Sequence, residues 1–132
     1  MTPQELQTIE SCLGVVLPEA YKQVMASYPW PAFEGSTAAS LWDNPAAIVE
    51  QTTAQRAGFG GAPSWPTQLV VIGDEDDACP YAIDCTTGSI IQTDHGNLQA
   101  EALADYPSIS ELLSVLRPIY DGQTRKPWWN VW

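Results

Sequence analysis

Four consecutive acids, Asp74-Glu75-Asp76-Asp77, have the plainest chemical potential in this chain, because closely spaced carboxylates bind hard cations and attract Lys and Arg. A calcium loop does not fit them. With Asp74 at the first position of an EF-hand loop, Asp76 takes the third, but Ala78 stands at the fifth, Cys79 where glycine is needed and Cys85 where the closing glutamate belongs. The run instead reads as a solvated hairpin loop whose carboxylates can meet a basic partner. Cys79, Cys85 and the only histidine, His95, could hold zinc or supply a thiol nucleophile. Zinc would need four ligands, with Cys12 or a carboxylate recruited from afar. A Cys85 and His95 dyad would need hydrogen-bond reach between neighbouring strands and a low thiol pKa, and no oxyanion donor or orienting third group accompanies it. Asp84 and Asp94 could be imagined as an acid/base pair, yet a strand-ending aspartate beside a turn is ordinarily satisfied by backbone amides. No Ser-His-Asp order, phosphate loop or Gly-x-Gly-x-x-Gly occurs. These residues therefore lead us to expect a non-catalytic protein with no cofactor and no metal.

Tryptophan is the other conspicuous residue type, with 6 in the chain. Trp30, Trp42 and Trp65 offer apolar anchorage to a partner if they are exposed, since Trp is a common interface hot spot. Trp128, Trp129 and Trp132 belong to a Trp-rich tail, residues 125–132, which either folds back over the sheet or the first helices or anchors an interface.

The elements that must position these residues can be read from spacing. Thr2, Pro3 and Glu5 open a helix by a capping box, Leu6, Ile9 and Leu13 share its face, and Gly14 stops it. Pro18 opens a second helix with Tyr21, Val24, Met25 and Tyr28 on its apolar side, ending before Pro29. A short strand near Ala38 to Trp42 follows, then a helix capped by Asn44-Pro45 and running to about Gly58, with Ile48, Val49 and Thr52 inward. Gly58 to Pro66 is a loop. Leu69 to Ile72, Tyr81 to Cys85 and Ser89 to Thr93 make a three-stranded antiparallel meander, the last two joined through Thr86-Thr87-Gly88. Ser108 and Glu111 cap a final helix carrying Leu112, Leu113, Leu116 and Ile119, broken or kinked near Pro118. Helices, then strands, then a helix predict an α+β fold, with a central antiparallel sheet and helices packed on one face.

At 132 residues and 45% hydrophobic, the chain suits a single domain over residues 1–132 with a real core. Its start lacks a basic leader or apolar stretch, and no segment approaches the roughly 20 apolar residues of a membrane span, so a cytoplasmic protein with reduced thiols is expected. It has 16 acidic and 5 basic residues, a net charge of -11 and a pI near 4.1. Between Arg56 and Arg117 there is no Lys or Arg, against nine acids. Such a chain repels nucleic acid and anionic membranes and steers in a basic partner; the simpler consequence of the charge is solubility.

The order Leu13-Gly14, Leu17-Pro18-Glu19-Ala20-Tyr21-Lys22, Trp65-Pro66, Leu69-Val70-Val71-Ile72-Gly73, the acidic run, Tyr81-Ala82-Ile83-Asp84, Gly88, Ile90, Asp94-His95 and Ser108-Ile109-Ser110-Glu111-Leu112-Leu113 resembles the SMI1/KNR4 family, or SUKH superfamily. The resemblance covers roughly Glu5 to Leu116. The chain departs from it at Tyr28-Pro29-Trp30, where such proteins often carry Asn-Gly. The resemblance implies an α+β fold and a bacterial immunity protein of polymorphic toxin systems, which binds and neutralises a cognate toxin domain, often a nuclease, without catalysis. A basic toxin partner is then expected to meet Asp74, Glu75, Asp76, Asp77, Asp84 and Asp94, with Trp30, Trp42 or Trp65 as anchors. The alternative implied by eukaryotic relatives is a regulatory or adaptor module of cell-wall synthesis and signalling; a Cys85 and His95 enzyme is the third reading. The residues leave the oligomeric state open.

Overall fold

The structure, a computed structural model, describes residues 1–58, 63–75 and 79–125. Helix α1 spans Pro3–Leu13. Thr2 Oγ1 accepts from the Glu5 N–H at 3.1 Å, Glu5 Oε1 accepts from the Thr2 N–H at 2.8 Å, and Gly14 ends the helix in the left-handed region at φ 67°. Helix α2, Glu19–Ala26, buries Tyr21 and Met25. Helix α3, Pro45–Arg56, is capped by Asn44 Oδ1, which accepts from the Ala47 N–H at 3.2 Å. It buries Ile48, Thr52 and Gln55, while Val49 is only half-buried.

The sheet is a meander in the order β1(Leu69–Glu75), β2(Cys79–Asp84), β3(Ile90–Gln92) and β4(Ala104–Tyr106), antiparallel throughout. Gly88, at φ 81°, supplies the left-handed residue of the turn between β2 and β3. Strand β4 lies outside the three strands that spacing predicts, because Ala104 and Asp105 are poor strand formers and only the need of β3 for a partner recruits them. The expected strand at Ala38 to Trp42 shrinks to one bridge, Leu41 to Gly73. That bridge still does strand work along the outer edge of β1. The Trp42 N–H donates to the Ile72 carbonyl at 3.0 Å, the Asp74 N–H to the Ser40 carbonyl at 2.9 Å and the Val71 N–H to Thr52 Oγ1 at 2.9 Å, so the edge is closed.

Helix α4, Ile109–Arg125, starts at Ser108, whose Oγ accepts from the Glu111 N–H at 3.4 Å, and continues through Pro118 without a break. Burial of Leu113 and Leu116 before the proline and of Tyr120 after it holds the helical path on both sides. Ile119 is not on the inward face as spacing suggests; Tyr120 takes that place. Helices and a four-stranded antiparallel sheet together make the α+β fold. Among the described residues no helix is long and apolar enough to cross a membrane.

Candidate partner-binding surface

The acidic run is not wholly a loop: Asp74 and Glu75 are the last residues of β1, paired with Pro80 and Cys79, while Asp76 and Asp77 lie outside the described residues. Asp74 Oδ1 accepts from the Cys79 N–H at 3.2 Å. Glu75 is exposed, yet held. Its Oε2 accepts from the Tyr81 hydroxyl and from Gln92 Nε2, both at 3.0 Å, so side chains from β2 and β3 fix one carboxylate. Burial first, then this hydrogen bond and the charge of Glu75, push the Tyr81 hydroxyl well above the ordinary phenol range, which keeps it a donor.

Strand register places the other carboxylates. The Thr93 N–H donates to the Pro80 carbonyl at 2.9 Å, and Pro80 is paired with Asp74, so Asp94, one residue further, sits at the same end of the sheet as Asp74 and Glu75. Two strand spacings, about 10 Å, separate β1 from β3 there. Asp94 is partly exposed, with its Oδ1 2.5 Å from His95 Nδ1 in a turn where His95 itself adopts φ 56°. Asp84 is the exception among the acids. It ends β2 four residues from Pro80, about 13 Å along the strand, at the opposite end of the sheet. There its Oδ1 accepts from the Thr86 N–H at 2.8 Å and from Thr86 Oγ1 at 2.5 Å, so it shapes the turn and does not join the cluster. This separation also rules out Asp84 and Asp94 as an acid/base pair.

The three tryptophans are corrected more sharply. Trp30 is 1%, Trp42 8% and Trp65 3% exposed, so none presents an anchor. Trp30 packs at 4.8 Å against Tyr120 and at 6.0 Å against Tyr28, and Trp65 Nε1 donates to the Gly96 carbonyl at 2.8 Å. The domain uses this large apolar area for its own core. Trp128, Trp129 and Trp132 lie outside the described residues.

The cysteine chemistry also loses its geometry. Cys79 opens β2 and Cys85 follows its last residue, about 20 Å apart along a strand, too far to share a tetrahedral ion. Among the described residues no group of three His, Cys, Asp or Glu is placed closely enough to hold a metal ion. His95 follows Thr93, which pairs near the Cys79 end, and its Nδ1 is engaged by Asp94. Burial, with Asp84 next and a partial counter-effect from Arg56, pushes the Cys85 thiol up to about 11, the reverse of an activated nucleophile.

Sequence reasoning missed the exposed apolar side chains. Among the described residues Val16, Leu103, Val115 and Ile119 are the large ones, the last two each 49% exposed on α4. The signal was present: Leu113, Leu116 and Tyr120, spaced by three and four, already fill the inward stripe and leave Ile119 outside it.

What stands out is one sheet end carrying Asp74, Glu75 and Asp94 beside a buried apolar core. The chain matches the SMI1 / KNR4 family (SUKH-1) over residues 1–114, a span from α1 into the second turn of α4 that includes the whole sheet. No curated protein and no solved structure matches it significantly. With the family pattern covering most of its length, this chain belongs to the SMI1/KNR4 (SUKH-1) family.

Proposed function

We propose that this protein is an immunity protein of the bacterial cytoplasm that binds one basic toxin domain, a nuclease by preference, and neutralises it by stoichiometric contact. Membership of the family supports an immunity-type or binding role, its members being generally non-catalytic immunity proteins. The observation that carries the finer reading is the gathering of Asp74, Glu75 and Asp94 at one sheet end, with Glu75 fixed by Tyr81 and Gln92. A carboxylate already held by two donors loses little side-chain freedom when it meets a Lys or Arg. A nuclease cleft is built to receive phosphates, so its cationic lining complements this end, and a net charge of -11 steers the two together.

The test is affinity capture from the native host at low and moderate salt, with mass spectrometry of the eluate. A single basic toxin domain at equal stoichiometry, released by salt and bound less by the Asp74→Asn, Glu75→Gln, Asp94→Asn triple variant, supports the proposal. The Asp84→Asn variant, altered at the far end, should bind as the parent does. Recovery of wall-synthesis or signalling proteins alone would make the protein an adaptor and sink the immunity reading.

A further inference from the structure

Two helix starts and one turn enclose a cavity of about 290 Å³ at the Asp84 end of the sheet, away from Asp74, Glu75 and Asp94. Pro18, Ala20 and Tyr21 come from the start of α2, Ser108 and Ile109 from the start of α4, and the turn after β2 supplies Thr86. The first bond of α2 runs from the Lys22 N–H to the Pro18 carbonyl at 3.0 Å, and no side chain caps that helix. The N–H groups of Glu19, Ala20 and Tyr21 therefore have no partner within it. On α4, Ser108 Oγ takes the Glu111 N–H, which leaves those of Ile109 and Ser110. The positive ends of two helix dipoles thus meet at one cavity. Tyr21 adds a second observation. It is wholly buried, yet its hydroxyl has no hydrogen-bond partner among the described residues, a costly state that a ligand would relieve. Burial first, then the charges of Asp43 and Cys85, hold this hydroxyl well above the ordinary phenol range, so it stays a donor.

Charge and lining choose the ligand. Among the described residues that line the cavity there is no Asp, Glu, Lys or Arg. Glu19 and Glu111, the acids of the two first turns, are exposed, and the Asp84 carboxylate is held by Thr86. Open N–H groups and a hydroxyl can match one negative charge, whereas the second charge of a phosphate wants a cation that this lining does not offer. Ile83 and Ile109 make much of the remaining wall apolar. The net charge of -11 opposes an anion at long range, but salt screens that beyond about 10 Å. We infer that the cavity binds a small monocarboxylate, its oxygens on the open amides of α2 and α4 and on the Tyr21 hydroxyl, its aliphatic body against Ile83 and Ile109. The site lies at the opposite sheet end from the partner-binding acids, and the inference stands or falls without the immunity reading.

The probe is butyrate, added to the isotope-labelled full chain at neutral pH and followed by amide chemical shifts, with butyramide and inorganic phosphate as comparisons. Butyrate should bind with a dissociation constant of about 1 mM, in keeping with so few atoms. It should shift Ala20, Tyr21, Ile109 and Ser110, while butyramide and phosphate leave these amides in place. Tyr21→Phe should weaken butyrate about tenfold without lowering the thermal midpoint of the unliganded protein, because the unpaired hydroxyl is gone. Ala20→Glu, at an exposed position, should abolish binding with the fold intact, its carboxylate competing for the same amides. The absence of a saturable shift with butyrate, equal shifts with butyramide, tighter binding of phosphate, or unchanged affinity in Tyr21→Phe would each overturn the inference.

Discussion

Gly73→Ala should be among the most damaging small substitutions in the protein. Gly73 sits in β1 beside the register shift after Val71, opposite Leu41. A Cβ built on it lies 1.6 Å from the Ser40 carbonyl oxygen, 2.7 Å from the Ser40 carbonyl carbon and 3.1 Å from Leu41 Cα. All three are backbone atoms, so no side chain can swing aside. To restore van der Waals contact near 3.5 Å the Ser40-Leu41 segment must retreat by about 2 Å. A shift of that size breaks the Asp74-to-Ser40 bond (2.9 Å) and the Trp42-to-Ile72 bond (3.0 Å), and strains the bond from the Tyr28 hydroxyl to the Leu41 carbonyl (2.6 Å). At about 1 kcal/mol net for each broken bond, with part of a third for the strained one, the loss is about 2 to 3 kcal/mol, before any loosening of fully buried Leu41. Urea unfolding followed by tryptophan emission is the assay. With a slope near 2 kcal/mol per molar, the midpoint should fall by about 1 to 1.5 M. Gly122→Ala is the matched control, since Gly122 lies in α4 and its Cβ would meet nothing within 4 Å; helix propensity should make it stabilising by about 0.5 to 1 kcal/mol. A Gly73→Ala protein within about 0.5 kcal/mol of the parent would refute the close approach of Ser40 and, with it, the closing of the β1 edge.

Two further outcomes test the rest of the framework. The Cys85 thiol is raised to about 11, chiefly by burial, so the folded state keeps a proton that the unfolded chain releases above its ordinary thiol value of about 8.5. Its contribution to stability is therefore complete below about pH 8.5 and is lost as pH rises toward 11. Cys85→Ala should flatten the fall of the urea midpoint over that window, and at pH 8 iodoacetamide should modify exposed Cys12 well before Cys85; equal rates at the two thiols would contradict the burial argument. Arg56 ties α1 to the approach of β1, its Nη1 donating to the Leu13 carbonyl at 2.8 Å and its Nη2 to the Thr67 carbonyl at 2.7 Å. Arg56→Ala should cost about 2 kcal/mol in a denaturant titration, and Arg56→Lys should recover half or less, because an ammonium cannot span both carbonyls; full recovery by lysine would show that charge alone matters there.

Much of the fold was legible because it depends on local rules. The capping box of Thr2 and Glu5, the Asn44 cap, the Gly88 turn and the three central strands are each specified by residues close together in the chain. The acids could be listed but not arranged. Asp84 and Asp94 look alike as strand-ending aspartates, and only pairing through Pro80 and Thr93 puts Asp94 at the same sheet end as Asp74 while sending Asp84 to the other end. Strand β4 and the Leu41 bridge were hidden for a related reason: neither segment has strand character of its own, and each pairs because a neighbouring strand has open hydrogen-bonding groups.

By itself the sequence determined the helices, the central meander and the acidic balance, since periodicity, capping and composition act within a few residues or over the whole chain regardless of shape; the order of its short motifs carried the family resemblance. Only the tertiary structure decided which large apolar groups are core and which are surface. Trp30, Trp42 and Trp65 could have been anchors by type, and Ile119 could have been core by spacing; the reverse holds because a close-packed interior admits whichever side chains fit its shape, and Tyr120 fits against Trp30 where Ile119 does not reach.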